Sequence, residues 1–236
     1  MIRSIDDLQG PTGKLEAVLN TGRDDARYAA LICHPHPLGG GTMHNKVVYH
    51  AMKVFSGLGM PVLRFNFRGV GLSEGTHNHG PGELNDARAA LDWLDANLGL
   101  PVLVAGFSFG AYIGLQLGCG DPVVKGLIAL GLPYRAEGRS YAYEFLERCT
   151  QPKLFISGTE DQFGPRSLIS PILRHAADPK EIAWIEGAEH FFQGVPSSPG
   201  AKLAEMQDVL RSWVKRTFDL GLPSSAEADA SEATLP

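Results

Sequence analysis

Residues 104–112 read VAGFSFGAY, and Ser108 at their centre is bracketed by Gly106 and Gly110. Two flanking glycines remove the β-carbons that would collide in a very sharp turn. A serine at the apex of such a turn is exposed and its backbone strained, which packing alone does not require. A serine hydroxyl is a poor nucleophile until a base takes its proton and a carboxylate orients that base. Candidates for both lie downstream. The apolar run KLFIS leads into GTEDQFG, putting Asp161 just past it with Glu160 as the alternative carboxylate, and EIAWI leads into EGAEHFF, putting His190 in the next loop. Ser108, Asp161 and His190 could together carry out acyl transfer.

Such side chains must be brought together by the elements around them. Apolar, β-branched runs at 14–19, 28–33, 61–67, 101–105, 123–130, 153–157 and 181–185 read as strands. Segments of helical period lie between them. Val48, Met52, Phe55 and Leu58 form one stripe in 45–58, and Leu84, Ala87, Leu91, Leu94 and Leu98 recur at three and four in 82–98. Further helices are expected just after Ser108, near 166–177 and over 200–217. Nearly continuous apolar strands alternating with helices predict an α/β fold with a mostly parallel sheet covered on both faces. Ser108 then falls at a strand-to-helix junction, the context a G-x-S-x-G elbow requires. The helix beginning at Phe109 would aim its N–H groups at a developing oxyanion.

The chain has 236 residues, enough for one domain with a large core, which we place at 1–222, with an acidic, small-residue tail at 223–236. With 44% hydrophobic and 20% charged residues it is ordinary for a soluble globular protein. A net charge of −5 offers no basic footprint, so nucleic acid is not an expected partner. Cys33, Cys119 and Cys149 lie far apart without a C-x-x-C pattern and read as buried thiols in a reducing compartment. The N-terminal MIRSIDDLQG is acidic where a signal peptide needs an apolar stretch, and no run approaches a membrane span. Both point to a cytoplasmic protein without membrane contact. Oligomeric state is not legible.

Several tempting motifs read more simply. The glycines of GVGLSEG (69–75) follow a later strand instead of opening the first strand–helix unit, so no dinucleotide cofactor is expected. The histidines of HPHP (34–37) and THNH (76–79) lack two ligands on one helical face, so no metal is expected. Arg68 follows a strand end; it could face the site or pair with Glu74 or Glu83.

From about Lys14 to Phe218 the chain resembles an α/β-hydrolase, and the order Ser108, Asp161, His190 is the order of that superfamily. HPHPLGGGTMHNKVV (34–48) and FNFRGVGLSEG (65–75) resemble small bacterial predicted hydrolases related to dienelactone hydrolases. In that resemblance His34-Pro35 stands where lipases and esterases carry His-Gly, which implies an oxyanion hole from the backbone N–H groups of Phe109 and His36, with Leu38 as second choice. Dienelactone hydrolases use a cysteine nucleophile; here it is serine. The stretch from Pro133 to Gln151 is too short for a lipase-type lid and is rich in aromatics. This minimal cap, with Phe107, Tyr134 and Phe163 as pocket candidates, predicts a serine carboxylesterase for small, soluble, short-chain esters. Thioesters, lactones and short amides share the same tetrahedral intermediate and stay open, as does a non-catalytic protein that binds a small ligand on the same fold.

Overall fold

Eight strands form one sheet in the computed structural model, which describes residues 1–136, 139–194 and 200–220. In chain order they are β1 (Ile2–Ile5), β2 (Ala17–Asn20), β3 (Ala29–Cys33), β4 (Val62–Phe65), β5 (Val102–Phe107), β6 (Val124–Leu130), β7 (Lys153–Gly158) and β8 (Lys180–Ile185). Across the sheet they run β1-β2-β4-β3-β5-β6-β7-β8. Only β2 runs antiparallel to its neighbours β1 and β4; the pairings from β4 to β8 are all parallel. Parallel strands need crossovers, and the crossovers place helices on both faces. Accordingly every residue of β3, β5 and β7 is buried, with no alternation between faces.

The helices are α1 (Lys46–Gly57), α2 (Pro81–Leu98), α3 (Phe109–Gly118), α4 (Arg166–His175) and α5 (Ala201–Thr217). The α1 stripe of Val48, Met52 and Phe55 packs with Leu203, Met206 and Leu210 of α5 on one face of the sheet. Ala87 and Leu91 of α2, Ile113 and Leu117 of α3, and Ile169 and Leu173 of α4 share the core on the other face. Asn45 starts α1 by accepting the Val47 N–H at 2.9 Å, meeting one of the four N–H groups that a helix leaves open.

The first strands depart from the expected pattern. The run 14–19 does not form one strand, because Leu15 N–H bonds back to Leu8 O and Glu16 N–H donates to Ser73 Oγ, so the ladder starts only at Ala17. The strand Ile2–Ile5 was not expected; three of its four residues are exposed, so it carries little apolar signal. The cysteine reading is corrected too. Cys119 and Cys149, with Cα atoms 5.0 Å apart, form a disulfide that ties the end of α3 to the segment before β7. Only Cys33 remains a buried thiol, its pKa pushed up to about 12 by burial, and the disulfide removes the argument for a reducing compartment, where such bonds are rare. Among the described residues no helix is long and apolar enough to cross a membrane. The expected tail at 223–236 lies outside the described residues.

Between β6 and β7 the cap consists of a small hairpin (Arg135–Ala136 with Arg139–Ser140) and a 3₁₀ turn at Glu144–Arg148. Tyr112 of α3 packs edge-on against Tyr141 and Tyr143 of the cap, at 5.0 and 5.5 Å between ring centres. The cap therefore rests on the helix that follows Ser108.

Candidate active site

Ser108 sits between the end of β5 and the start of α3 with φ 55° and ψ −121°, in the left-handed region that a side chain rarely tolerates. The flanking glycines explain how the turn closes. A Cβ on Gly106 would lie 2.1 Å from the Gly110 carbonyl oxygen, and one on Gly110 would lie 2.3 Å from the Cys33 carbonyl oxygen. Only glycine fits at either place. The Ser108 N–H donates to Leu130 O of β6 at 2.9 Å, so the strained residue is fastened to the neighbouring strand.

His190 reaches Ser108 from the loop after β8. Its Nε2 lies 2.9 Å from Ser108 Oγ, and its Nδ1 lies 2.7 Å from Asp161 Oδ2. Asp161 follows β7 and is almost fully buried; its other oxygen, Oδ1, accepts the Phe163 N–H at 2.8 Å and the Gly164 N–H at 3.0 Å. Glu160, the alternative carboxylate, is exposed. The imidazole is boxed by aromatic rings: Phe163, Phe107 and Phe191 lie 4.6, 4.9 and 5.3 Å from it. A carboxylate on Nδ1 leaves Nε2 as the acceptor for the serine proton.

The loop after β3 is organised by His34, which is fully buried. Its Nε2 accepts the Phe67 N–H at 3.0 Å, so the ring proton is on Nδ1 and is donated to Pro35 O at 2.7 Å. Burial lowers the His34 pKa to about 4, so the ring is neutral. Holding the Pro35 carbonyl fixes the plane of the Pro35–His36 peptide and with it the direction of the His36 N–H. The His36 carbonyl accepts the N–H groups of Gly39 and Gly41, both at 3.0 Å, which curls the loop around it. Neither the Phe109 N–H nor the His36 N–H has an acceptor among the described residues. Leu38, by contrast, donates its N–H to His36 Nδ1 at 3.2 Å and its side chain is exposed.

Ser108 and His190 open into a cavity of about 240 Å³, whose walls include His36, Asn45, Arg139, Tyr141, Phe163 and Phe191. Of the three pocket candidates, Phe163 lines this cavity. Phe107 is fully buried behind the His190 ring, and Tyr134 borders a different groove with Pro171 and His175. Asn45, Arg139 and Phe191 were not anticipated: a helix cap, a two-residue strand and a loop aromatic carry no periodic signal. The expected pairings of Arg68 are corrected. Its guanidinium is buried and bound to Asp86 of α2, with Nε 2.9 Å from Oδ2 and a terminal nitrogen 2.6 Å from Oδ1, while its own N–H donates to Oδ2 at 3.0 Å. It fastens the loop after β4 to α2 and is not part of the cavity wall.

The histidines of HPHP and THNH do meet. His36 and His77 rings lie 4.7 Å apart, and His77 Nδ1 is 3.0 Å from Glu83 Oε1. Glu83 is buried at the start of α2 and accepts the N–H groups of Asn78 and Gly80, both at 2.7 Å, which accounts for its place. Among the described residues no three His, Cys, Asp or Glu side chains are grouped to hold a metal ion.

Residues 29–217 match the family described as "Alpha/beta hydrolase domain". An uncharacterized protein of Rickettsia prowazekii is 37% identical over 191 residues, covering 78% of this chain and 80% of its own. An alpha-beta serine hydrolase homologue from Coxiella burnetii superposes with a TM-score of 0.78 at 33% identity, covering 91% of this chain and 97% of its own. XC6422 of Xanthomonas campestris, described as an a/b serine hydrolase without lid, gives a TM-score of 0.77 at 30% identity, covering 91% and 94%.

Proposed function

The chain belongs to the alpha/beta hydrolase family, and on that footing we propose that it is a serine hydrolase, a carboxylesterase that cleaves small short-chain esters through an acyl-enzyme on Ser108. The observation that carries this is the unbroken hydrogen-bonded line from Ser108 Oγ through His190 to Asp161. In the proposed reaction Ser108 attacks the ester carbonyl while His190 Nε2 takes its proton. The tetrahedral oxyanion is received by the N–H groups of Phe109 and His36. His190 then protonates the departing alcohol, and later activates the water that releases the acid. Asp161 keeps the ring proton on Nδ1 and stabilises the imidazolium.

The serine hydrolase names of the two similar structures support the reaction class. A cavity of about 240 Å³ under a minimal cap supports short acyl groups. Labelling by a fluorophosphonate probe, with Ser108→Ala as control, tests the nucleophile: wild type is expected to label and the variant not. Equal labelling of both would end the assignment. Thioesters and lactones assayed beside esters would rank the leaving groups that the same machinery serves.

A further inference from the structure

One side of the Ser108 cavity is a glycine-rich strap. Between the end of β3 and the start of α1, Pro35, His36, Gly39, Gly40, Gly41 and Asn45 all line it. Apart from the 3₁₀ turn at Pro37–Gly39 this segment has no regular structure, and its run of three glycines makes it costly to order. Packing does not hold its crest: beyond chain neighbours, no described atom lies within 4 Å of where a Cβ on Gly39 or Gly40 would stand. Hydrogen bonds at the two ends hold it instead. His34 meets the Phe67 N–H at the first end. At the other, Met43 is gripped twice: its N–H donates to Asn66 Oδ1 at 2.8 Å, and its carbonyl accepts Arg64 Nη1 at 3.1 Å. Arg64 and Asn66 are both buried. Two residues apart along β4 and its extension, they point to the same side of the sheet. The Asn66 carboxamide is itself fixed, because its NH₂ donates to Glu16 Oε2 at 2.7 Å and leaves its oxygen for Met43. The GVGLSEG loop completes this brace. Glu16 Oε2 also accepts the Leu72 N–H at 2.8 Å, and Ser73 Oγ donates to Asn66 O at 2.6 Å. Gly71, at φ 58°, leaves room for it, since a Cβ there would collide with Glu16 Oε2 and Asn66 Nδ2.

Resting on the hydrolase reading above, we propose that Asn66 is a positioning residue for that reaction: through Met43 it sets where the strap stands against the substrate. Asn66 does not line the cavity and touches no reacting atom. It acts by placing a wall before the substrate arrives, and a small misplacement of such a wall is enough to lose binding and attack geometry. Arg64 holds the same residue from its carbonyl side, and Glu16 keeps the Asn66 carboxamide turned the right way. The glycine motif after β4 and the glycine run after β3 are thereby one device. The first braces the residue that pins the second.

The test reads kcat and KM separately for p-nitrophenyl acetate, beside the Tm of each variant. Asn66→Ala frees the Met43 N–H. KM is expected to rise by about tenfold and kcat to fall by less than about threefold, the scale of one lost hydrogen bond. Partial unfolding does the reverse, since it removes active sites and lowers apparent kcat without moving KM. Asn66→Asp combined with Glu16→Gln exchanges donor and acceptor between the two side chains and keeps an acceptor for Met43; its KM should stay within about threefold of wild type. Amide exchange in the wild-type protein needs no variant to fold. After correction for intrinsic rates, the Met43 N–H should exchange about tenfold or more slowly than that of Thr42, which has no acceptor among the described residues. A wild-type KM in folded Asn66→Ala, a paired variant as impaired as Asn66→Ala, or equal exchange at Met43 and Thr42 overturns the proposal and leaves the hydrolase reading standing. Absence of both ester turnover and fluorophosphonate labelling in the wild type overturns the hydrolase reading and this proposal with it.

Discussion

Asp161 holds His190 with one carboxylate oxygen and its own loop with the other: Oδ2 lies 2.7 Å from His190 Nδ1, while Oδ1 takes the N–H groups of Phe163 and Gly164. Asparagine at this position can keep an acceptor on one side only. Asp161→Asn is therefore expected to lower kcat for p-nitrophenyl acetate by roughly 10³ to 10⁴-fold, and Ser108→Ala or His190→Ala by at least as much, on the scale of triads in other hydrolases. A variant of any of the three that kept a tenth of wild-type kcat would remove that residue from the mechanism.

The size of the cavity sets an acyl-length limit. Each methylene left in water forgoes about 0.8 kcal/mol of burial, and among the described lining residues Pro35, Tyr141, Phe163 and Phe191 supply the apolar surface that could cover a chain. Along a series of neutral p-nitrophenyl esters, kcat/KM should peak at about two to four acyl carbons and fall by about tenfold or more at eight, given that increment. A steady rise from acetate to octanoate would show that an acyl tunnel exists which the structure does not contain among the described residues.

Arg68 and Asp86 make a nearly dry ion pair, with both side chains almost fully buried. Removing one partner strands the other charge, which costs roughly 3–5 kcal/mol, whereas replacing both by apolar residues can be close to neutral. Arg68→Met should lower Tm sharply, by roughly 2–4 °C per kcal/mol for a chain of this size, and Arg68→Met with Asp86→Leu should recover much of the loss. If Arg68→Met melted like wild type but raised KM, the arginine would be a substrate contact instead of a tie between the loop and α2.

Acid should unfold the protein through His34. Its pKa falls from 6.5 in the unfolded chain to about 4 in the fold because burial disfavours the cation. Between those values the unfolded chain binds a proton that the folded one does not. The stabilisation is therefore complete above pH 6.5 and is lost as pH falls toward 4, by roughly 3 kcal/mol in all. His36 and His77, both lowered mainly by burial, act in the same direction. Urea unfolding of His34→Gln across this window should show a shallower dependence on pH than wild type. Parallel curves for the two proteins would refute the linkage.

Much of the architecture was legible because it rests on apolar continuity. Strands β3, β5 and β7 are buried on both faces, so composition alone marks them, and the order of the loops that follow them dictates which side chains can converge. Ser108, Asp161 and His190 could be named from that order without any knowledge of distance. Features set by the path of the chain in space were not legible. Asp86, not Glu74 or Glu83, meets Arg68 because of the way the 66–80 loop folds over α2. Cys119 and Cys149 are 30 residues apart, and nothing in their spacing signals a contact. Arg139 and Tyr141 reach the cavity through a hairpin of two-residue strands, too short to leave a pattern.

The brevity of the cap has a consequence for the fate of the acyl group. Between Leu130 and Lys153 the described chain offers only a small hairpin and a 3₁₀ turn, and Phe191, which lines the cavity, is exposed. Enzymes that close over their substrate keep stray nucleophiles from the intermediate, and often wait on reopening before they can turn over again. With only these described elements over it, an acyl group on Ser108 would have neither protection nor delay. It would meet whichever nucleophile diffuses in, so alcohols in the medium would divert it to new esters in proportion to their concentration.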